Sequence, residues 1–152
     1  MADSALTLII LTPLAGALLV MLAGRWPNLR EAISIGTGLL LVAQIISIAP
    51  SVLDGSTLRQ VIATPVPQLP LAFEFEPLGL LFGLIASSLW VITTIYAIGY
   101  MRGHNESNQT RFFVFFAIAI SATMGVALAA NLFTLFVFYE LLTLSTYPLV
   151  TH

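Results

Sequence analysis

Glu140 is the residue that first suggests chemistry. It is a carboxylate inside an otherwise apolar run from Leu132 to Val150. If that run is a helix starting at Leu132, a rise of about 1.5 Å per residue puts Glu140 roughly 12 Å in, near the mid-depth of a bilayer. A charged side chain there costs about 2.5–3.5 kcal/mol on insertion scales. Such a residue is expected to face a bundle interior or a water-filled cavity, and to mark an ion pathway. Burial favours the protonated form of a carboxylic acid, and a nearby cation favours the ionised form. A cation on another helix, moving by a few ångströms, would therefore load and unload a proton on Glu140. Helical spacing places Phe136, Val137, Thr143 and Leu144 about one turn away and Tyr147 two turns away. Thr143 and Tyr147 share the face of Glu140 and offer hydroxyls for water binding or proton relay. Pro148 has no N–H, so the Leu144 carbonyl loses its usual helical partner and adds an acceptor one turn on. The structural alternative is a permanently protonated acid bonded to a neighbouring helix.

The remaining chemical candidates are weak. The two histidines, His104 and His152, lie outside the apolar runs and cannot clamp a haem within this chain. There is no cysteine, so thiolate metal sites and disulfides are absent. No glycine-rich phosphate loop or Ser/His/Asp arrangement appears, and no cofactor or metal is expected. Trp26 and Trp90 read as interface and packing residues. Asn105-Glu-Ser and Asn108-Gln-Thr fit the glycosylation pattern but fall in a connection expected to face the cytoplasm.

Glu140 needs a scaffold, and composition names its solvent. Of 152 residues, 59% are hydrophobic and 8% charged, against roughly 45–50% and 25% in soluble domains. Mean hydropathy is +1.01. This excludes most soluble enzymes and disordered chains. A net charge of −2 leaves no footprint for nucleic acid. The chain is expected to be an all-α integral membrane protein, because lipid admits only helices or closed barrels and the apolar runs are continuous. Five spans are predicted, over about 5–23, 32–49, 78–100, 112–130 and 132–150. The first begins Met-Ala-Asp-Ser without a basic segment, so it reads as a retained helix rather than a signal peptide. Pro13 favours a kink within it.

All five basic residues are arginines. Arg25 and Arg30 fall in the first connection, Arg102 and Arg111 in the third. Arg59 is in the long second connection with Asp54, Glu74 and Glu76. The positive-inside rule puts the first and third connections in the cytoplasm and the N-terminus and second connection outside. Within that second connection, Pro65, Pro67 and Pro70 exclude a helix. The alternation of Leu71, Phe73 and Phe75 predicts a short strand in a loop packed over helix ends, with a partner-contact strand as the alternative. Gly79, Gly83 and Ser87, and Ala117, Ser121, Gly125 and Ala129, recur every four residues and predict close helix contacts.

The run from Asn131 through Glu140 and Tyr147-Pro148 resembles the fifth helix of the antiporter-like proton-conducting subunits. These are shared by respiratory complex I, membrane hydrogenases and Mrp-type Na+/H+ antiporters. Glu76-Pro-Leu-Gly-Leu-Leu-Phe82 is similar to the start of that family's third helix. Ile98-Gly-Tyr-Met101 and Arg111-Phe-Phe113 resemble the third-helix end and fourth-helix start. The resemblance is close from Glu76 onward, and the first two helices match in character only.

The resemblance implies a fold of about fourteen helices with two inverted five-helix repeats, each forming half a proton path. It places Glu140 on the family's fifth-helix glutamate, which pairs with a lysine on the seventh helix. This sequence has no lysine, so that partner would lie outside the chain. The chain holds two helices of the first repeat and is expected to be the N-terminal portion of a longer protein. The alternative is one half of a split subunit.

The function implied is proton translocation, through part of the first half-channel, in a cation/proton antiporter or NADH:quinone oxidoreductase-like complex. Glu140 would be the mid-membrane proton carrier, with Thr143 and Tyr147 beside it. The chain would not be catalytic alone. The expected partners are other membrane subunits, a Lys-bearing helix, the lipid bilayer and protons, with Na+ left open. The expected location is a bacterial inner membrane. The alternatives are a structural scaffold and a redox subunit binding quinone or haem.

Overall fold

The structure, a computed structural model, describes residues 2–54, 58–66, 69–104 and 109–150. Five helices appear: α1 (Ala2–Leu22), α2 (Pro27–Leu53), α3 (Pro77–Gly103), α4 (Gln109–Ala127) and α5 (Leu132–Val150). Two strands, β1 (Leu58–Val66) and β2 (Leu69–Phe75), separate α2 from α3. Among the described residues, three helical segments are long and apolar enough to cross a membrane: Asn28–Pro50, Pro77–Gly103 and Thr110–Ala127. Leu8–Leu22 and Leu132–Tyr147 are shorter apolar segments of α1 and α5. The glycosylation patterns at Asn105 and Asn108, and His152, lie outside the described residues.

Two helices differ materially from the expected spans. α2 begins at Pro27 rather than near residue 32, because proline is suited to the first helical turn, where its missing N–H costs nothing. It also continues through Pro50 to Leu53. α4 is shifted toward the N-terminus and stops at Ala127, so Ala129 belongs to the following turn and not to the α4 stripe.

The four helices α1 to α4 pack together, with α1 against α2 and α4, and α3 against α2 and more lightly α4. α5 is added at the edge, against α4 and β2. The core between them is built from Ile9, Leu41, Ile45, Trp90, Met124 and Leu128. Small residues permit these approaches, since helices in lipid associate by packing and polar contacts rather than by the hydrophobic effect. Gly79 sits against the end of α4, where an added Cβ would lie 3.0 Å from the Ala127 carbonyl oxygen. Gly125 receives the Phe138 ring of α5 so closely that an added Cβ would overlap it. Gly125→Ala should therefore force the ring aside and destabilise the α4–α5 contact by about 1–3 kcal/mol, the usual cost of overpacking. A thermal unfolding comparison of G125A with G125A/F138L tests this. Recovery in the double variant is expected, and an unperturbed single variant would contradict it.

A polar contact from α4 reaches α1 in the turn before Pro13. Pro13 leaves the Ile9 carbonyl without a helical N–H, and in the same turn the buried Ser121 hydroxyl of α4 donates to the Ile10 carbonyl at 2.7 Å.

The second connection is a two-stranded antiparallel hairpin rather than a single short strand. β1 is the strand the alternation of β2 did not reveal. The register sets Arg59 opposite Glu74 and Gln60 opposite Phe73. The loop-over-helix-ends expectation holds for β2. Glu74 N–H donates to the Leu128 carbonyl at 2.7 Å, and Ala130 N–H to the Ala72 carbonyl at 2.9 Å. Phe73 is fully buried with its ring 5.3 Å from that of Phe138. Ala72 N–H is satisfied by the fully buried Thr134 hydroxyl at 3.0 Å. Thr134→Val removes that acceptor and leaves a buried N–H unpaired, which costs about 1–3 kcal/mol. Faster limited proteolysis of the hairpin in T134V is the expected readout.

Candidate functional site

The two sides of α5 are chemically different. Its packed side carries Thr134, Phe138 and Ser145, with Thr134 and Ser145 buried. Asn131 stands just before the helix and its side-chain oxygen accepts the Thr134 N–H at 2.8 Å, as an N-cap does. The other side carries Phe136 (62% exposed), Tyr139, Glu140, Thr143, Leu144 (69%) and Tyr147 (71%).

Glu140, Thr143 and Tyr147 thus lie on one face, as helical spacing requires. That face points away from α1 to α4, not into their interior. The reason is position: α5 is an edge helix, and among the described elements its substantial contacts are with α4 and β2. Thr143 Oγ1 donates to the Tyr139 carbonyl at 3.0 Å, one turn back along its own helix. α5 continues through Pro148 to Val150.

Phe136, Tyr139 and Tyr147 share the exposed side of α5 with a carboxylate that has no cationic partner within salt-bridge distance among the described residues. The arrangement presents one ionisable group, flanked by hydroxyls, on a surface that lipid cannot solvate favourably.

A second polar centre sits at the opposite end of the molecule from the hairpin, and the span assignment missed it. Glu31 is buried in the first turns of α2. Its Oε1 accepts from Arg102 Nε at 2.8 Å, and its Oε2 lies 2.5 Å from Arg102 Nη2. Arg30 Nη2 is 3.8 Å from Glu31 Oε1. Arg30 Nη1 also donates to Thr110 Oγ1 at 3.0 Å, and its guanidinium carbon stands 5.6 Å from the centre of the Phe113 ring. Arg102 donates to Asn28 Oδ1 at 2.6 Å. One carboxylate thus serves two guanidiniums drawn from α2 and α3, with α4 closing the cluster. The available signal was Pro27. Starting α2 there places Arg30 and Glu31 inside the helix.

A cavity of about 340 Å³ at the hairpin end is lined by Glu74, Glu76, Phe82 and Ala127 among others, and does not include Glu140. Among the described residues no group of three or more His, Cys, Asp or Glu side chains could hold a metal ion. The contacts of the helices confirm that the first and third connections share one end, since Arg30 reaches Thr110 and Arg102 reaches Glu31.

No family model matches the sequence. Individual relatives do. The chain is 32% identical over 104 residues to the antiporter protein mnhA2 of Staphylococcus haemolyticus, covering 68% of this chain and 13% of that protein. It is 26% identical over 155 residues to the A1 component of a Na+/H+ antiporter of Staphylococcus aureus, covering 97% of this chain and 19% of the relative. It is 33% identical over 82 residues to the chloroplastic NAD(P)H-quinone oxidoreductase subunit 5 of Chara vulgaris, covering 54% and 12%. The chain therefore spans a fifth or less of the length of these relatives.

In fold it is similar to a chain of the membrane-bound sulfane sulfur reductase, an archaeal respiratory membrane complex. The TM-score is 0.78 at 21% identity, covering 94% of this chain and 22% of that one. A multi-pass membrane protein follows from the apolar helices and these relatives together. The homologues of this chain are thus the antiporter-like membrane subunits, represented by components of Na+/H+ antiporters and by subunit 5 of NAD(P)H-quinone oxidoreductases.

Proposed function

We propose that this chain forms part of the first half-channel of a proton-translocating, antiporter-like subunit, and that Glu140 is its mid-membrane proton carrier. The observation that carries this reading is the placement of Glu140 on the exposed face of α5, beside Thr143 and Tyr147. A carboxylate left against lipid at that depth is unfavourable by about 2.5–3.5 kcal/mol or more. A further helix supplying a cation, together with water, removes that cost and makes the site titratable. The Lys-bearing helix would therefore lie against α5, outside this chain.

In this mechanism α1 to α4 are a rigid platform and α5 presents the carboxylate to the moving charge. Approach of the cation favours the ionised carboxylate and releases its proton; withdrawal favours reprotonation. Thr143 and Tyr147 line the same face and hold the water through which the proton passes. The arginine end is taken to face the cytoplasm, because four of the five arginines cluster there. The working unit is a complex with other membrane subunits, and NADH:quinone oxidoreductase-like and antiporter assemblies are both accommodated by the relatives. The test is proton uptake by vesicles containing the full-length protein, with and without Glu140→Gln. Uptake unchanged by that substitution would leave a scaffold role.

A further inference from the structure

We infer that the arginine end carries a binding site for the phosphate headgroup of an anionic phospholipid, with Arg102 as its principal contact. The inference does not depend on Glu140, which belongs to a different face.

The charge balance is the first ground. Among the described residues at this end, Arg25, Arg30, Arg102 and Arg111 are basic and Glu31 is acidic. Glu31 is enclosed between two of the guanidiniums, its side chain only 8% exposed. Its charge is spent internally and cannot shield the rim. Arg102 is 46% exposed in its side chain, so one edge of the pair opens outward.

Geometry is the second ground. Glu31 and Asn28 engage Nε and Nη2 of Arg102. This fixes the plane of the guanidinium and leaves the hydrogens of Nη1 without a bond to either residue. A planar, pre-oriented guanidinium is suited to phosphate oxygens, where a lysine would act only as a point charge. Exposed Arg25 stands three residues before Asn28, the residue that Arg102 bonds, and so flanks the same rim.

The third ground separates a lipid from a free anion. Residues four and seven places back along α3 continue the face of Arg102: Ile98 is half-buried and Ile95 is exposed. Trp26 is exposed at the same end. An indole at headgroup level with an apolar face below Arg102 matches a lipid whose phosphate meets the arginines and whose acyl chains lie along Ile98 and Ile95.

The experiment uses the full-length protein in neutral detergent, titrated separately with phosphatidylglycerol, phosphatidylcholine and inorganic phosphate. Bound lipid is counted by native mass spectrometry, and stabilisation is followed by thermal shift. Phosphatidylglycerol should bind and stabilise, the other two should not, and raised salt should weaken the effect. Arg102→Gln should weaken phosphatidylglycerol binding about fivefold, the share of one basic residue at a membrane surface. Arg25→Gln, which touches no part of the Glu31 cluster, should weaken it in the same direction and keeps the test valid if R102Q fails to fold. Equal binding of the two lipids, or no change in either variant, would overturn the site. Equal stabilisation by inorganic phosphate would overturn its assignment to lipid.

Discussion

Glu140→Gln in the full-length protein is expected to lower proton uptake by about tenfold or more, equivalent to about 1.4 kcal/mol or more on the transfer barrier. Glutamine keeps the length and much of the hydrogen bonding of glutamate but cannot take up and release a proton. The residue lies on the exposed side of α5. The amount of folded protein in the membrane should therefore be unchanged, and this separates a transport defect from an assembly defect. Glu140→Asp keeps a titratable group with a reach shorter by one methylene, so part of the activity should remain. The order wild type, then Asp, then Gln is the signature of a proton carrier. Equal activity of Asp and Gln variants would point to a steric role instead.

Glu31→Ala should be strongly destabilising. It removes the carboxylate that pairs with both Arg30 and Arg102 across the α2–α3 contact. Removing one partner of a buried ion pair leaves the other charge uncompensated and typically costs about 3–5 kcal/mol. The lower part of that range is expected, because Arg102 is half-exposed and can turn toward water or headgroups. Arg30 cannot do so, being buried beneath Phe113 and Thr110. Loss of thermal stability in detergent, with reduced accumulation in the membrane, is the readout. Replacing both Glu31 and Arg30 by glutamine removes both charges and should recover part of the loss. An unchanged unfolding temperature in E31A would show that the cluster contributes nothing to stability.

These two carboxylates illustrate unequal legibility. Glu140 stands out in the sequence because it interrupts an apolar run, and its neighbours on the helical face follow from spacing. Glu31 did not stand out. It sits beside arginines at a helix start, where charge usually meets water, and only the approach of Arg102 from 71 residues away buries it. The small-residue stripes on α3 and α4 were readable for a related reason. Gly79, Gly83, Ser87, Ala117 and Ser121 are all buried at helix contacts, and in lipid small residues are what such contacts require.

The hairpin was half legible. Alternation in Leu71, Phe73 and Phe75 marked β2, whereas β1 contains Pro65 and pairs with breaks in register at Val61 to Ala63 and Ala63 to Val66. A strand of that kind is identified by its partner rather than by its own pattern.

By itself the sequence determined the solvent, the helices and the sorting of the arginines to one end. It also placed a lone carboxylate deep in the fifth helix, because hydropathy and charge are local properties of the chain. Only the tertiary structure decided which way that carboxylate faces and that Glu31 binds two guanidiniums. In a soluble helix the polar side announces the exposed face. A membrane helix is apolar on every side, since lipid and protein interior are equally apolar. Its inward face is therefore chosen by contacts with distant helices, and for α5 those contacts place Thr134 and Phe138 inward and Glu140 outward.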